Sequence, residues 1–279
     1  MKTILVPTDF SSHSENALRT AAIIAKKNNA NILVLHMAGI EDGLLTKEES
    51  NAALESVFYL KLAEKRFAEF LDMSYLNGIE VHQAIKKHRN FNEINEVAQE
   101  HNVSLIVISS HGSSGLKELF IGSNTEKVIR HSEIPVLVIK QLVSNFRMNS
   151  GVFASDFSFE NISAYQKAKE FFRLFNARMH LIYINTPGRH FKSSKEIDKV
   201  LFHFFKNSGY TKPADRINDV EIISDYSIEE GIFSYSQLIN TDIITIATHG
   251  RKGYSHLLKG SISEDVANHS IISVLTIKI

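Results

Sequence analysis

The chain contains no cysteine. That excludes disulfides, thiolate zinc sites, iron–sulfur clusters and cysteine nucleophiles. It has no charge excess either: 31 basic side chains face 31 acidic ones, so a basic nucleic-acid platform is not expected. No stretch approaches the ~20 apolar residues of a membrane-spanning helix. The start, Met1-Lys2-Thr3-Ile4-Leu5-Val6-Pro7-Thr8-Asp9, is too short in apolar residues for a secretory signal. The expectation is a soluble cytoplasmic protein without nucleic-acid or membrane partners. Several catalytic signatures are missing as well. There is no G-x-x-x-x-G-K-[ST] loop, and Lys259-Gly260-Ser261 has the wrong order for one. No repeated carboxylate cluster offers a magnesium site. The 13 histidines form no H-E-x-x-H pattern, and His82, His88, His249 and His256 read as surface or loop residues. Asp9 lacks the acidic neighbours that a phospho-acceptor aspartate needs.

What is present is enough for folding. Of 279 residues 43% are hydrophobic, which rules out intrinsic disorder and allows one large or two medium domains. An internal repeat decides for two. His111-Gly112, nine residues and Gly122-Ser123 recur as His249-Gly250, nine residues and Gly260-Ser261. At the same offset His131-Ser132 matches His269-Ser270, and Pro135–Ile139 matches Ser273–Ile277. Near the two starts, Val6-Pro7-Thr8-Asp9-Phe10-Ser11 matches Phe153-Ala154-Ser155-Asp156-Phe157-Ser158. The boundaries implied are 1–140 and 150–279, joined by a connector at 141–149 without Pro or Gly.

Each half alternates strand and helix. In the first, strands are expected at 3–7, 31–37, 79–85, 105–108 and 136–139. Helices are expected after Ser12-His13-Ser14-Glu15, which has capping-box spacing, and at 47–76, 92–100 and 124–130. Ala17, Leu18, Ala21, Ala22 and Ala25 mark the buried face of the first helix. In the second half Ile197, Val200, Leu201, Phe204 and Phe205 carry an amphipathic helical period, and 243–247 is a buried strand. Alternating βα units fold as a mostly parallel sheet with helices on both faces. The fold class is therefore α/β, as two tandem doubly wound domains.

In such sheets ligands bind outside the carboxyl ends of the strands. The repeated motifs fall there. Asp9 and Asp156 follow the first strand of each half. Ser109-Ser110-His111-Gly112 and Ala247-Thr248-His249-Gly250 follow the fourth. Gly122-Ser123 and Gly260-Ser261 open the last helix. Glycine lets backbone N–H groups approach phosphate oxygens, and a helix N-terminus adds unpaired donors and partial positive charge. A strand-end carboxylate can accept from ribose hydroxyls. The combination suits a nucleotide. Each piece also has a plainer reading: Asp as an Asx-turn, Gly-Ser as a turn with an N-cap, His111 as a loop brace.

Together these residues resemble the universal stress protein family. Its nucleotide-binding members carry Gly-x2-Gly-x9-Gly-Ser/Thr after the fourth strand and an Asp after the first. The match is Ser109-x2-Gly112-x9-Gly122-Ser123 and Ala247-x2-Gly250-x9-Gly260-Ser261, with Ser109 and Ala247 replacing the first glycine. The resemblance implies two five-stranded parallel sheets of order 3-2-1-4-5, paired about a pseudo-two-fold axis. It implies ATP, with or without Mg²⁺, as ligand. Asp9 would hold ribose and the Met37 backbone adenine. Gly112, Gly122, Ser123 and Asn124 would hold phosphates, with Ser109 and His111 in the same loop. The second set is Asp156, Ile184, Ala247, His249, Gly250, Gly260, Ser261 and Ile262. The function implied is an ATP-binding stress or regulatory protein without dedicated catalysis. The alternatives are a nucleotide-free interaction scaffold and a weak ATPase or adenylyl-transfer enzyme. A protein partner is not identified, and the intact chain could be a monomer or a homodimer. Residues 136–139 and 274–277 would pair their edges. Charge contributes little to that: the first 140 residues hold 15 basic and 17 acidic groups, the remainder 16 and 14.

Overall fold

The computed structural model describes residues 1–37, 49–86, 93–110, 122–140, 146–248 and 262–279. The chain divides into two units, Met1–Phe146 and Arg147–Ile279.

The first unit runs β1 (Thr3–Thr8), α1 (Ser12–Asn28), β2 (Asn31–Met37), α2 (Glu49–Leu71), β3 (Val81–Lys86), α3 (Glu93–Glu100), β4 (Val103–Ser109), α4 (Ser123–His131) and β5 (Val136–Ile139). The described strands pair in parallel in the order β3-β2-β1-β4-β5. Connections run one way from β1 to β3 and the other way from β4 to β5. Right-handed crossovers then place helices on both faces. The strands read as the apolar runs predict. β1, β2, β4 and β5 are buried along most of their length, whereas β3, at the edge, keeps His82 and Gln83 exposed. Ala17, Leu18, Ala21, Ala22 and Ala25 are all buried on α1.

The first helix departs from expectation at its start. Its N-cap is Ser11, not Ser12, with Ser11 Oγ accepting from the Ser14 N–H at 3.3 Å. Glu15 therefore does not close a capping box; it pairs with Arg19 one turn on, at 3.0 Å. The cause lies upstream. Asp9 Oδ1 accepts from both the N–H (3.1 Å) and the hydroxyl (2.6 Å) of Ser11, which fixes Ser11 as the entry residue. The long second helix also ends sooner than expected, at Leu71. A 3₁₀ turn, Ser74–Leu76, follows it, and Gly78 at φ 82° turns the chain toward β3.

The second unit runs β6 (Ser150–Ala154), α5 (Ile162–Phe175), β7 (Arg178–Asn185), α6 (Ser194–Asn207), α7 (Pro213–Ile217), β8 (Val220–Ser224), α8 (Ile228–Leu238), β9 (Ile243–Thr248), α9 (Ile262–His269) and β10 (Ser273–Lys278). Its parallel order is β8-β7-β6-β9-β10, the same 3-2-1-4-5 arrangement. On α6, Ile197, Leu201, Phe204 and Phe205 are buried and Val200 is half-buried. Here a true capping box forms, between Ser193 and Glu196.

The repeat reaches the backbone. Asn29 and Asn176 end α1 and α5 in the left-handed conformation, at φ 49° and 52°. Asn102 and Asn240 do the same after α3 and α8, both at φ 50°. The His-Ser pairs find a common role too. Ser132 Oγ bridges the carbonyl (2.7 Å) and N–H (3.0 Å) of Ile134, and Ser270 Oγ bridges those of Ile272 at 2.6 and 3.0 Å. Both serines close the turn into the last strand.

Candidate functional site

Because the strands are parallel, the carboxyl ends of β1, β2 and β4 share one edge of the first sheet. Asp9 stands just beyond β1, Met37 ends β2 and Ser109 ends β4. Two bonds lock the amino end of α4 against that edge, and a third ties the end of β4 to β5. Ser110 N–H donates to the Ile139 carbonyl at 3.0 Å, and Gly122 N–H donates to the Ser110 carbonyl at 2.7 Å. Thr125 Oγ1 donates to the Ser109 carbonyl at 2.8 Å, buried. Gly122 is the N-cap of α4 at φ −60°, so any residue could adopt its backbone. Its want of a side chain bears on approach, not on conformation. Ser123 and Asn124, in the first turn, are exposed. His111 and Gly112 lie outside the described residues.

The strand-end aspartates sit in one repeated turn. Thr8 Oγ1 accepts from the Phe10 N–H, as Ser155 Oγ accepts from the Phe157 N–H, both at 2.9 Å. Phe10 and Phe157 hold φ of 63° and 54°, a region that costs a bulky residue strain. Asp156 Oδ1 accepts from the Ser158 N–H at 2.9 Å and from Asn161 Nδ2 at 2.7 Å. Both carboxylates thus serve as turn braces. The strain is held by packing. Phe10 lies against His36 (4.5 Å between centroids), Phe67 (5.0 Å) and Phe70 (5.6 Å); Phe157 lies against Phe204 (5.1 Å).

Sequence reasoning did not single out Thr125, Thr8 or His36. His36 Nδ1 is 2.9 Å from the Thr8 carbonyl, so that nitrogen carries the proton and donates. The recurrence of a hydroxyl residue before each Asp was the available signal for Thr8.

In the second unit, Asp156 is exposed and Ala247 half-buried in β9. Ile184 occupies the same register position as Met37, because Pro7 pairs with Leu35 where Ala154 pairs with Ile182. Ile262 begins α9. His249, Gly250, Gly260 and Ser261 lie outside the described residues. The carboxyl end of β7 is built differently from that of β2. The buried Asn185 side chain donates to the Lys192 carbonyl (2.9 Å) and accepts from the Lys192 N–H (3.0 Å). Lys192 Nζ then reaches the Tyr183 hydroxyl at 3.1 Å. Residues 186–192 are thereby tied back to the strand end.

Among the described residues no group of three His, Asp or Glu side chains could hold a metal, and no helix is long and apolar enough to cross a membrane. A cavity of about 910 Å³ lined by Arg19, Tyr75, Leu76, Gly78 and Ile79 lies near the amino end of β3, away from the carboxyl edge. Burial, with the nearby Glu15 carboxylate, pushes the Tyr75 phenol up to about 12 against the opposing charge of Arg19.

The model of the universal stress protein family matches residues 1–140 and again 152–278. Universal stress protein MJ0577 of Methanocaldococcus jannaschii is 30% identical over 156 residues, covering 50% of this chain and 95% of that protein. MJ0531 of the same organism is 29% identical over 140 residues, covering 50% and 82%. Among solved structures, a universal stress protein from Archaeoglobus fulgidus superposes with a TM-score of 0.71 over 99% of this chain and 96% of its own. At 23% identity that likeness concerns the fold. With two matches to one family model and the same strand order in both units, the chain belongs to the universal stress protein family and carries its domain twice in tandem.

Proposed function

We propose that the chain binds an adenine nucleotide, ATP, at the carboxyl edge of the first sheet and acts in the stress response as a regulatory protein without dedicated catalysis. One observation carries this reading. The amino end of α4, capped by a residue without a side chain, is bonded onto the end of β4 beside the Asp9 turn. Backbone donors and a helix dipole are the chemistry that phosphate oxygens select.

In this reading Asp9 takes the ribose hydroxyls and the Met37 backbone takes adenine. Gly122, Ser123 and Asn124 take phosphate oxygens, together with Ser109, His111 and Gly112 of the loop before them. The second set is Asp156, Ile184, Ala247, His249, Gly250, Gly260, Ser261 and Ile262. Mg²⁺ would enter with the phosphates, not at a protein carboxylate cluster. The domains proposed are 1–140 and 150–279.

A second reading applies to the second unit. The Asn161 bond on Asp156 and the Asn185–Lys192 tie at the end of β7 favour a nucleotide-free scaffold in that half. Mass spectrometry of small molecules released from the denatured protein tests the proposal. An adenine nucleotide near one equivalent per chain supports a site in one unit. Two equivalents would remove the scaffold reading, and a protein purified without nucleotide that also ignores added ATP would remove the main one.

A further inference from the structure

The second unit holds a cluster of phenols and cations that no part of the nucleotide reading uses. Tyr165, on α5, is buried, and its hydroxyl lies 2.7 Å from that of Tyr210. Tyr210 follows Gly209, whose φ of 86° reverses the chain at the end of α6 and returns Tyr210 toward Phe205. Lys169 Nζ, on α5, donates to the Tyr210 oxygen at 3.1 Å and stands 5.0 Å from its ring centroid. The Arg216 guanidinium, on α7, is 5.1 Å from the same centroid. It also pairs with Asp219.

Counting protons gives the cluster a direction. An ammonium can only donate, so the Tyr210 oxygen accepts from Lys169. An ionised phenol can only accept, so the Tyr165 hydroxyl, 2.7 Å away, then donates to it as well. The Tyr210 phenolate thus has two donors, the Tyr165 hydroxyl and the Lys169 ammonium. That donor set favours the ionised phenol. Burial works to raise the pKa of Tyr210, but the bonds from Tyr165 and Lys169 and the charges of Lys169 and Arg216 outweigh it, and the net direction is down. Tyr165 moves up, by burial and by giving its proton to the Tyr210 bond. Two like groups driven apart by their surroundings mark an assigned donor and an assigned acceptor.

We propose that Tyr210 is a nucleophilic phenol and a site of covalent acylation by activated acyl donors, acyl phosphates or acyl imidazoles. The phenol loses its proton to solvent. The phenolate oxygen attacks the carbonyl carbon, and a carbon–oxygen bond to Tyr210 forms. The bond from that carbon to phosphate or imidazole breaks, and the leaving group departs with its electron pair. Lys169 and Arg216 supply positive charge beside the attacking oxygen.

The test uses the intact chain with limiting N-acetylimidazole at neutral pH, followed by peptide mapping. Ranked by exposure alone, Tyr226, which is 87% exposed, is labelled before the half-buried Tyr210. The proposal predicts the reverse order, with the label removed by hydroxylamine as expected of a phenyl ester. Lys169 is exposed, so Lys169→Met should fold normally; circular dichroism checks this, and the Tyr210 rate should drop to that of Tyr226 or below. Tyr210→Phe should remove the earliest-ionising phenol from the near-ultraviolet titration. Labelling of Tyr226 first, acylation of Lys169 in place of Tyr210, or a Tyr210 rate unchanged in folded Lys169→Met would each overturn the proposal.

Discussion

Replacing Gly151 with alanine should damage the second unit more than any other glycine-to-alanine change among its described residues outside helices. Gly151 lies inside β6, between Met179 of β7 and Ile243 of β9. A Cβ there would stand 2.4 Å from both Cε1 and Cζ of Phe172 and 2.9 Å from the Ile243 carbonyl oxygen. Carbon atoms rest at about 3.5–4.0 Å, so the ring must retreat by roughly 1 Å or more. Phe172 is 2% exposed and packs edge-on against Phe171, which leaves it nowhere to go. The carbonyl belongs to a paired strand and cannot move alone. Overpacking of this kind costs about 1–3 kcal/mol, and the double obstruction puts Gly151→Ala near the top, about 3 kcal/mol. For a unit of this size that lowers Tm by about 10 °C. Gly188 and Gly209 serve as controls: they have φ of 83° and 86° with nothing within 4 Å, so alanine there meets only the left-handed penalty, about 1–2 kcal/mol. Denaturant unfolding followed by circular dichroism, with calorimetry for Tm, measures all three. A Gly151→Ala protein within about 1 kcal/mol of the parent would refute the steric argument.

The remaining predictions concern the strand ends. Thr125→Val keeps the shape but deletes the donor to the Ser109 carbonyl, and should cost about 1–2 kcal/mol by chemical denaturation while weakening ATP binding. Unchanged stability would mean that α4 is held by other contacts. Ser132→Ala and Ser270→Ala should lose similar amounts, about 1 kcal/mol each, since each removes the same two-bond turn; a large effect in one alone would show that the equivalence is only geometric. Gly122→Val should abolish ATP binding in the first unit by placing a branched side chain at the α4 cap, read by titration calorimetry on the folded chain. Retained affinity would remove the phosphate-cradle assignment.

The order of elements was readable because the strands are nearly continuous apolar runs. Val136–Ile139 occupies the expected bounds, and the buried stripe of α6 follows the period of Ile197, Leu201, Phe204 and Phe205. The start of α1 was not readable from spacing. Ser12-x-x-Glu15 has the form of a capping box, but Asp9 binds Ser11 twice and moves the cap by one residue. The local Asp9–Ser11 turn, and not the spacing to Glu15, selects between the adjacent serines. Phe10 and Phe157 in the left-handed region were likewise invisible, because phenylalanine carries no propensity for it; aromatic packing supplies the compensation. At the candidate site, the repeat located Asp9, Ser109 and Gly122 at one sheet edge. It could not show that Thr125 holds α4 there, since a hydroxyl bonding a carbonyl across the sheet edge has no local signature. The closing of the β7 end by Asn185 and Lys192 was hidden for the same reason.

Titration calorimetry of the intact chain with ATP and Mg²⁺, run beside the Gly122→Val protein, tests the central claim most directly. Saturable binding by the parent, lost or reduced by one site in Gly122→Val, is the predicted result, with about 2.7 kcal/mol of added stability once ATP reaches one hundred times Kd. A parent chain that gives no binding heat and no Tm shift at millimolar ATP would contradict it.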